Sequence, residues 1–169
     1  MTTEQAVVNF ELGTFRATVE DGVVRRATFD FVTHPPQRDS FGVHDVLAAY
    51  FDGEIHALDT LTVGARGTQF QHQVWDQLRL IPAGTTISYG ELARRVDRPN
   101  AQRAVGMANA SNPIALIVPC HRVIRTGGAL GGYAFGLDYK RWLLAHESAR
   151  PALFQRTAPV AGAGQAVPA

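Results

Sequence analysis

"PIALIVPCHRVI" (Pro113–Ile124) is the most apolar stretch of this 169-residue chain, and it contains the only cysteine, Cys120. A short continuous apolar run reads first as a buried strand. Pro119 interrupts that reading, because it has no N–H to give a ladder and bends the chain at the thiol. His121 and Arg122 follow directly, and a buried strand has no use for either. A lone cysteine in an apolar run more often packs than reacts. Here the bend and the two cationizable neighbours favour reaction: the thiolate is the nucleophile, and nearby cations or a helix N-terminus stabilise it. A histidine that serves a thiol needs a third group to orient it. Glu147, on the helix that follows, is the acidic candidate; standing alone it reads as a solvated helix carboxylate.

Working outward, "AVVNFELGTFRATVEDGVVRRATFDFV" alternates apolar and polar residues around Asp21-Gly22. That pattern predicts antiparallel strands joined by a tight hairpin. "THPPQRDS" is a loop, after which Ser40 is placed to cap a helix with Val43, Val46, Leu47 and Tyr50 on one face. "ALDTLTVGARG" is a connector with room for a short strand. Thr68 is placed to cap "QFQHQVWDQLRLI", whose stripe is Phe70, Val74, Trp75 and Leu78; Pro82-Ala83-Gly84 ends it. Ser88 and Glu91 have capping-box spacing at the start of a short helix, "DRPN" is a turn, and Asn100 is placed to cap "AQRAVGMANAS". Two short helices joined by a turn form a helix-turn-helix candidate, made more specific by arginines at 94, 95, 98 and 103. "RTGGALGGYAFG" is glycine-rich but has neither P-loop nor dinucleotide spacing. Leu137–Ser148 is an amphipathic helix with Trp142, Leu143 and Leu144 inward. Residues 151–169 have the Pro/Ala/Gly composition of a disordered segment.

The fold class expected is therefore α+β. A small strand-rich N-terminal domain spans residues 1–62, a mostly helical C-terminal domain with the helix-turn-helix and the cysteine loop spans 67–150, and a tail spans 151–169.

Composition narrows the class further. With 46% hydrophobic and 18% charged residues, the chain reads as a soluble globular protein. One cysteine excludes an internal disulfide and a multi-cysteine metal site, which suits a reducing cytoplasm. The first residues carry no secretory pattern, and nothing approaches the ~20 apolar residues that span a bilayer. Net charge is +1 but unevenly placed: residues 1–84 carry an acidic excess and residues 85–150 a basic one. Charge alone divides evenly between ordinary surface variation and a polyanion partner for the basic half.

"NPIALIVPCHRVI" resembles the signature of the O6-alkylguanine-DNA alkyltransferases, the methylated-DNA–protein-cysteine methyltransferase family. The resemblance extends through "TQFQHQVWDQLRLIPAGTTISYGELA", "RAVGMANASNPIALIVPCHRVI" and "GGYAFGLDYKRWLLAHE", about residues 67–148. It implies a single-turnover repair protein that moves an alkyl group from O6 of guanine in duplex DNA to its own cysteine, without a cofactor or metal, after flipping the nucleotide. Cys120 would be the acceptor, His121 would take the thiol proton through a water, and Glu147 would orient His121. Asn112 would brace the turn before the cysteine, and Tyr89 would donate to the leaving base. Arg103 would enter the duplex and fill the vacated place, while Arg94, Arg95, Arg98, Ser88 and Gln102 would meet DNA around it. Val123, Gly131, Gly132, Tyr133, Ala134, Phe135, Ala115 and Lys140 would line the base pocket, with a surface role for Lys140 equally open. Double-stranded DNA is the implied partner of a monomer, with cooperativity on DNA left open and no membrane involved. Two features depart from the family pattern. Phe135 stands where a glycine is usual, and Ala115 where some relatives have proline. Two other readings weigh less: a lesion-binding relative without transfer, which would lack the cysteine, and a cysteine hydrolase, whose histidine is normally distant in sequence.

Overall fold

The computed structural model describes residues 1–148; the tail expected at 151–169 lies outside the described residues. The chain divides into two units: residues 1–67 with Asn112–Val118, and Thr68–Ser111 with the chain from Pro119 onward.

The first unit is built on an antiparallel sheet of order β1-β2-β3, with β1 Thr3–Phe10, β2 Gly13–Glu20 and β3 Val23–Asp30. Asp21 and Gly22 both have positive φ, 47° and 82°, as the expected tight hairpin requires. Phe15, Ala17 and Val19 of β2 alternate inward and are fully buried. On β3 the alternation slips. A register shift at Thr18/Val19 leaves Arg25 without a partner residue in the ladder, so Val24 and Ala27 are both buried while Arg25 and Arg26 are both exposed. A β-bulge changes the phase of the side-chain period in this way.

The helix α1 (Val43–Phe51) buries Val43, Leu47 and Tyr50. Its cap differs from the expectation: the Asp39 carboxylate accepts from the N–H groups of Phe41, Val43 and His44, while the Ser40 hydroxyl donates to Glu4. The carboxylate spans three donors where a hydroxyl serves one, and the three bonds hold Asp39 below the ordinary carboxylate range against the burial that would raise it.

Residues 112–118 were expected in the C-terminal domain but cluster with this unit. Ala27 exchanges backbone hydrogen bonds with Pro113 and Ala115, at 3.0 and 3.1 Å. The apolar run is not a continuous strand. It is a buried turn, with Leu116 at φ 69°, closed by the Asn112 amide donating to the Val118 carbonyl at 2.7 Å and accepting from the Ile114 N–H.

Among the described residues the second unit holds four α-helices, α2 (Gln69–Arg79), α3 (Tyr89–Arg95), α4 (Gln102–Ala110) and α5 (Leu137–Ser148), and a parallel pair, β4 (Ile87–Ser88) and β5 (Val123–Ile124). Thr68 and Gln71 make a complete capping box on α2, and Val74, Trp75 and Leu78 are buried. The Trp75 indole N–H donates to the Ala108 carbonyl at 2.9 Å, tying α2 to α4. The helix pair α3–α4 is the expected helix-turn-helix. Only half of its first cap forms: Ser88 accepts from the Glu91 N–H, but the Glu91 carboxylate turns to Arg94 and Arg95. The N-cap position of α4 is Ala101, which makes no side-chain cap, so Asn100 does not cap the helix. On α5 the buried face is Tyr139, Lys140, Leu143, Leu144 and Glu147. Trp142 is not inward; it stacks on His146 with centroids 4.8 Å apart.

Candidate active site

Pro119 ends the turn at 112–118, and the next three residues form a single 3-10 turn, Cys120–Arg122, closed by the Arg122 N–H on the Pro119 carbonyl. β5 follows at once. Its parallel pairing of Ile87 with Val123 and Ser88 with Ile124 ties the cysteine turn to the start of α3, where Tyr89 stands. α5 packs against the same turn and presents Lys140 and Glu147, two helical turns apart on one face.

Glu147 is fully buried, so its reading as a solvated helix carboxylate is corrected: three donors converge on it. One oxygen meets His121 Nε2 at 2.8 Å and an Arg122 terminal nitrogen at 2.9 Å, and the other accepts from Arg122 Nε at 3.0 Å. The remaining Arg122 nitrogen donates to the Ile81 carbonyl at 2.6 Å. Arg122 is therefore a buried counter-ion whose charge is consumed by the carboxylate. Burial alone would raise the Glu147 carboxyl, but His121 and Arg122 outweigh it and hold the group well below the carboxylate range. Burial depresses the His121 imidazole, and the pull of Glu147 offsets this only in part, since Arg122 has already neutralised that carboxylate. The pair is a carboxylate and a neutral imidazole. With Nε2–H given to Glu147, Nδ1 carries the lone pair, and it is buried with no protein partner among the described residues. That nitrogen can take a proton, directly or through a water.

Cys120 is 8% exposed and interacts electrostatically with Tyr89, Tyr133 and Lys140. Burial raises Tyr89, and burial raises Tyr133 well above the ordinary phenol. The Tyr133 hydroxyl is a second buried polar atom without a protein partner among the described residues.

Lys140 is also fully buried; of the two places left open for it, the surface is excluded. Its ammonium donates to the carbonyls of Val123, Leu130 and Gly132 at 2.7, 2.5 and 3.3 Å, clamping β5 to the glycine loop. Gly131 (φ 72°) lies so close to Tyr89 that a Cβ there would meet the ring at 3.3 Å. Phe135 packs edge-on against Tyr133 at 5.6 Å, and Ala134 is exposed. Asn112 and Ala115 belong to the other unit. At the start of α4, Gln102 and Arg103 are exposed. Arg94 and Arg95 lean on Glu91, and Arg98 lies over the Phe70 ring at 5.2 Å, so Arg103 is the more available cation.

Two buried residues escaped the sequence reading at this site: Arg122, taken only as a source of potential, and Asn109, whose side-chain nitrogen donates to the Cys120 carbonyl at 3.4 Å. The signal for Asn109 was a polar residue on the inward stripe of α4, beside Val105 and Ala108.

Replacing Lys140 by methionine strips three carbonyls, two of them buried, of their donor and should cost on the order of 1–3 kcal/mol. Burial lowers the Lys140 ammonium to about 8 from 10.5. The unfolded chain holds that proton to higher pH than the folded one, so holding Lys140 charged costs stability below about pH 8, and the cost fades from there to 10.5. Thermal melts of wild type and Lys140→Met across pH 7–10.5 should therefore differ with a slope of up to about 1.4 kcal/mol per pH unit, in favour of the wild type as pH rises. A flat difference would remove Lys140 from the clamp.

Comparison with known proteins adds family evidence to this geometry. Residues 69–149 match the family model described as 6-O-methylguanine DNA methyltransferase, DNA binding domain. A methylated-DNA–protein-cysteine methyltransferase of Mycolicibacterium paratuberculosis is 41% identical over 152 residues, which are 85% of this chain and 92% of that protein. Its counterpart in Salmonella typhimurium is 53% identical over 106 residues, 63% of this chain but only 62% of that protein's length. A crystal structure of the Mycobacterium tuberculosis O6-methylguanine methyltransferase superposes with a TM-score of 0.77 at 37% identity, covering 93% of this chain and all of that one. The same organism's protein has also been solved in complex with DNA. The chain belongs to the methylated-DNA–protein-cysteine methyltransferase family.

Proposed function

We propose that this chain repairs O6-alkylguanine in double-stranded DNA by taking the alkyl group irreversibly onto Cys120. The observation that carries the reading is the buried Glu147–His121 pair: His121 lies on the same 3-10 turn as the thiol, and its Nδ1 has no protein partner among the described residues. Family membership and the DNA-bound relative support it.

In this reading His121 Nδ1 accepts the thiol proton through a water. The thiolate attacks the alkyl carbon in line; the S–C bond forms as the C–O6 bond breaks, and its electron pair returns to the guanine ring. Tyr89 meets the charge that develops there with its hydroxyl at N3. The imidazolium that remains is stabilised by Glu147 and returns a proton to the site through solvent. The product is a thioether with no hydrolytic route back, so each molecule acts once, and the atoms balance without a cofactor.

Access requires the nucleotide out of the stack. Arg103 would fill the vacated place, while Gln102, Ser88, Arg94 and Arg95 would meet the DNA around it. Asn112 would hold the turn that leads into the thiol. Val123, Lys140 and the loop Gly131–Phe135 would shape the base pocket, with Phe135 restricting it where a glycine is usual. A reducing cytoplasm suits the thiol, and one molecule carries every group the transfer uses.

Incubation with a duplex containing O6-methylguanine should add one methyl to the intact mass, on Cys120, and no more with time. Tight lesion binding without a mass change would replace this reading with that of a non-transferring lesion binder. Arg103→Ala should slow transfer from duplex by roughly 100-fold, the scale of a few kcal/mol of unstacking, while transfer from a free O6-alkylguanine base changes little. Equal losses on both substrates would remove Arg103 from the flipping step.

A further inference from the structure

Arg125 is a cation that the proposed reaction leaves unused. The parallel pair places it: Ile87 and Ser88 run beside Val123 and Ile124, and the next residues along the two segments are Tyr89 and Arg125. A tight turn then fixes its backbone. The Arg125 N–H donates to the Ala129 carbonyl at 2.8 Å, and the Arg125 carbonyl accepts from the Gly128 N–H at 3.1 Å. Gly127 and Gly128 make the reversal at φ 89° and 94°, a conformation that glycine adopts without a Cβ penalty. The returning chain brings Gly131 against both groups. A Cβ there would meet the Tyr89 ring at 3.3 Å, the Tyr89 hydroxyl at 3.5 Å and Arg125 Cγ at 3.5 Å. The stem of Arg125 and the hydroxyl of Tyr89 therefore flank the same side of Gly131.

An exposed arginine is ordinarily a solvated surface charge, and most cations of this unit are engaged. Arg94 and Arg95 lie on Glu91, Arg141 on Asp138 and Arg122 on Glu147. Arg125 is exposed and makes no ion pair or side-chain hydrogen bond among the described residues. Its charge nevertheless reaches Tyr89 and Lys140, lowering both. It is a free cation on a fixed backbone beside a group that the reaction uses.

The chemistry of the substrate says what would meet it. In the proposed reaction Cys120 works at the O6 edge of the guanine and Tyr89 at N3. N3 adjoins the ring carbon that bears the glycosidic nitrogen, and O6 lies across the ring from it. The deoxyribose and its phosphates must then leave the site past Tyr89, away from the sulfur. A nucleotide turned out of the stack carries those phosphates with it, and a guanidinium offers the forked donors that suit them.

We propose that Arg125 binds a phosphate flanking the everted nucleotide and holds that nucleotide outside the duplex, while Arg103 fills the gap inside. The inference rests on the function proposed above.

Arg125→Gln keeps the stem and removes the charge, and an exposed position tolerates the exchange. The variant should slow single-turnover transfer from an O6-methylguanine duplex about tenfold, the scale of one hydrogen bond to a charged group. The salt slope of lesion-duplex binding should shrink by about 0.9, the share of one phosphate. The same loss of rate should appear on a single-stranded oligonucleotide, where Arg103 has no gap to fill, and none on the free O6-methylguanine base. Arg125→Lys should recover most of the rate. A neutral methylphosphonate in place of the phosphate on one side of the lesion or the other locates the contact: one of the two should slow wild type about tenfold and leave Arg125→Gln no slower. An equal loss by the variant on the free base would mean that Arg125 acts through Tyr89 rather than on a phosphate, and would overturn the proposal. So would losses that multiply with both methylphosphonates. Failure of wild type to acquire a methyl would instead overturn the proposed function.

Discussion

Replacing Glu147 by alanine should unfold the protein at a temperature about 10 °C lower and slow alkyl transfer by at least 100-fold. Removing the carboxylate leaves Arg122 with an uncompensated buried charge and His121 without its hydrogen-bond acceptor. Breaking a buried pair from one side costs about 3–5 kcal/mol, and a chain of this size loses roughly 2–4 °C per kcal/mol. The rate falls for a separate reason. Without an anion on Nε2 the imidazole no longer has a set tautomer, and a misoriented base forfeits the roughly 100- to 10,000-fold of proton-transfer catalysis.

Glu147→Gln separates the two effects, because it keeps the volume and one acceptor while removing the charge. Since the Glu147 carboxyl is held below its ordinary 4.5, its contribution to stability is present above the unfolded value and lost as pH falls toward the folded one. Wild-type melting temperatures should drop below about pH 4.5, and those of Glu147→Gln should be flatter there. Thermal melts from pH 3 to 8, beside single-turnover rates at pH 7.5, decide it; parallel acid limbs would remove Glu147 from the acid sensitivity.

Cys120→Ser should eliminate transfer altogether while lesion-duplex affinity stays within a few-fold. A hydroxyl at its free pKa is a far weaker nucleophile than a thiol, which is the least inactive of the common nucleophiles even without activation. The substitution nearly conserves volume at a site that is 8% exposed, so the 3-10 turn and the Glu147 network should persist. Intact-mass analysis after long incubation, with a binding isotherm on the same duplex, reads both halves. Any methyl retained by the serine variant would move the acceptor elsewhere.

Much of the frame was legible because it is set locally. The alternation around Asp21-Gly22, the box at Thr68 and Gln71 and the proline before the thiol each act over a few residues, through backbone sterics and single hydrogen bonds. Two of the misreadings were also local, and they were competitions. Asp39 displaced Ser40 at the cap of α1 because a carboxylate served three donors. Glu91 left its capping box because Arg94 and Arg95 were one turn away. The slip at Thr18/Val19 inverted the alternation along β3, which no pattern of period two announces. Residues 112–118 read as part of the helical domain and joined the sheet unit through Ala27, a pairing between segments far apart in the chain.

The sequence by itself named the candidates for the chemistry: a single thiol after a proline, an imidazole beside it, and a family resemblance that pointed to Tyr89, Arg103 and Glu147. Tertiary structure alone decided what state those groups are in. His121 and Glu147 lie 26 residues apart, and only packing of α5 on the cysteine turn makes one a buried anion and the other a neutral base. The same packing took Arg122 and Lys140 out of solvent. Charge state and orientation follow from desolvation and from what fills the space around a group, and those are properties of the folded neighbourhood rather than of the residue type.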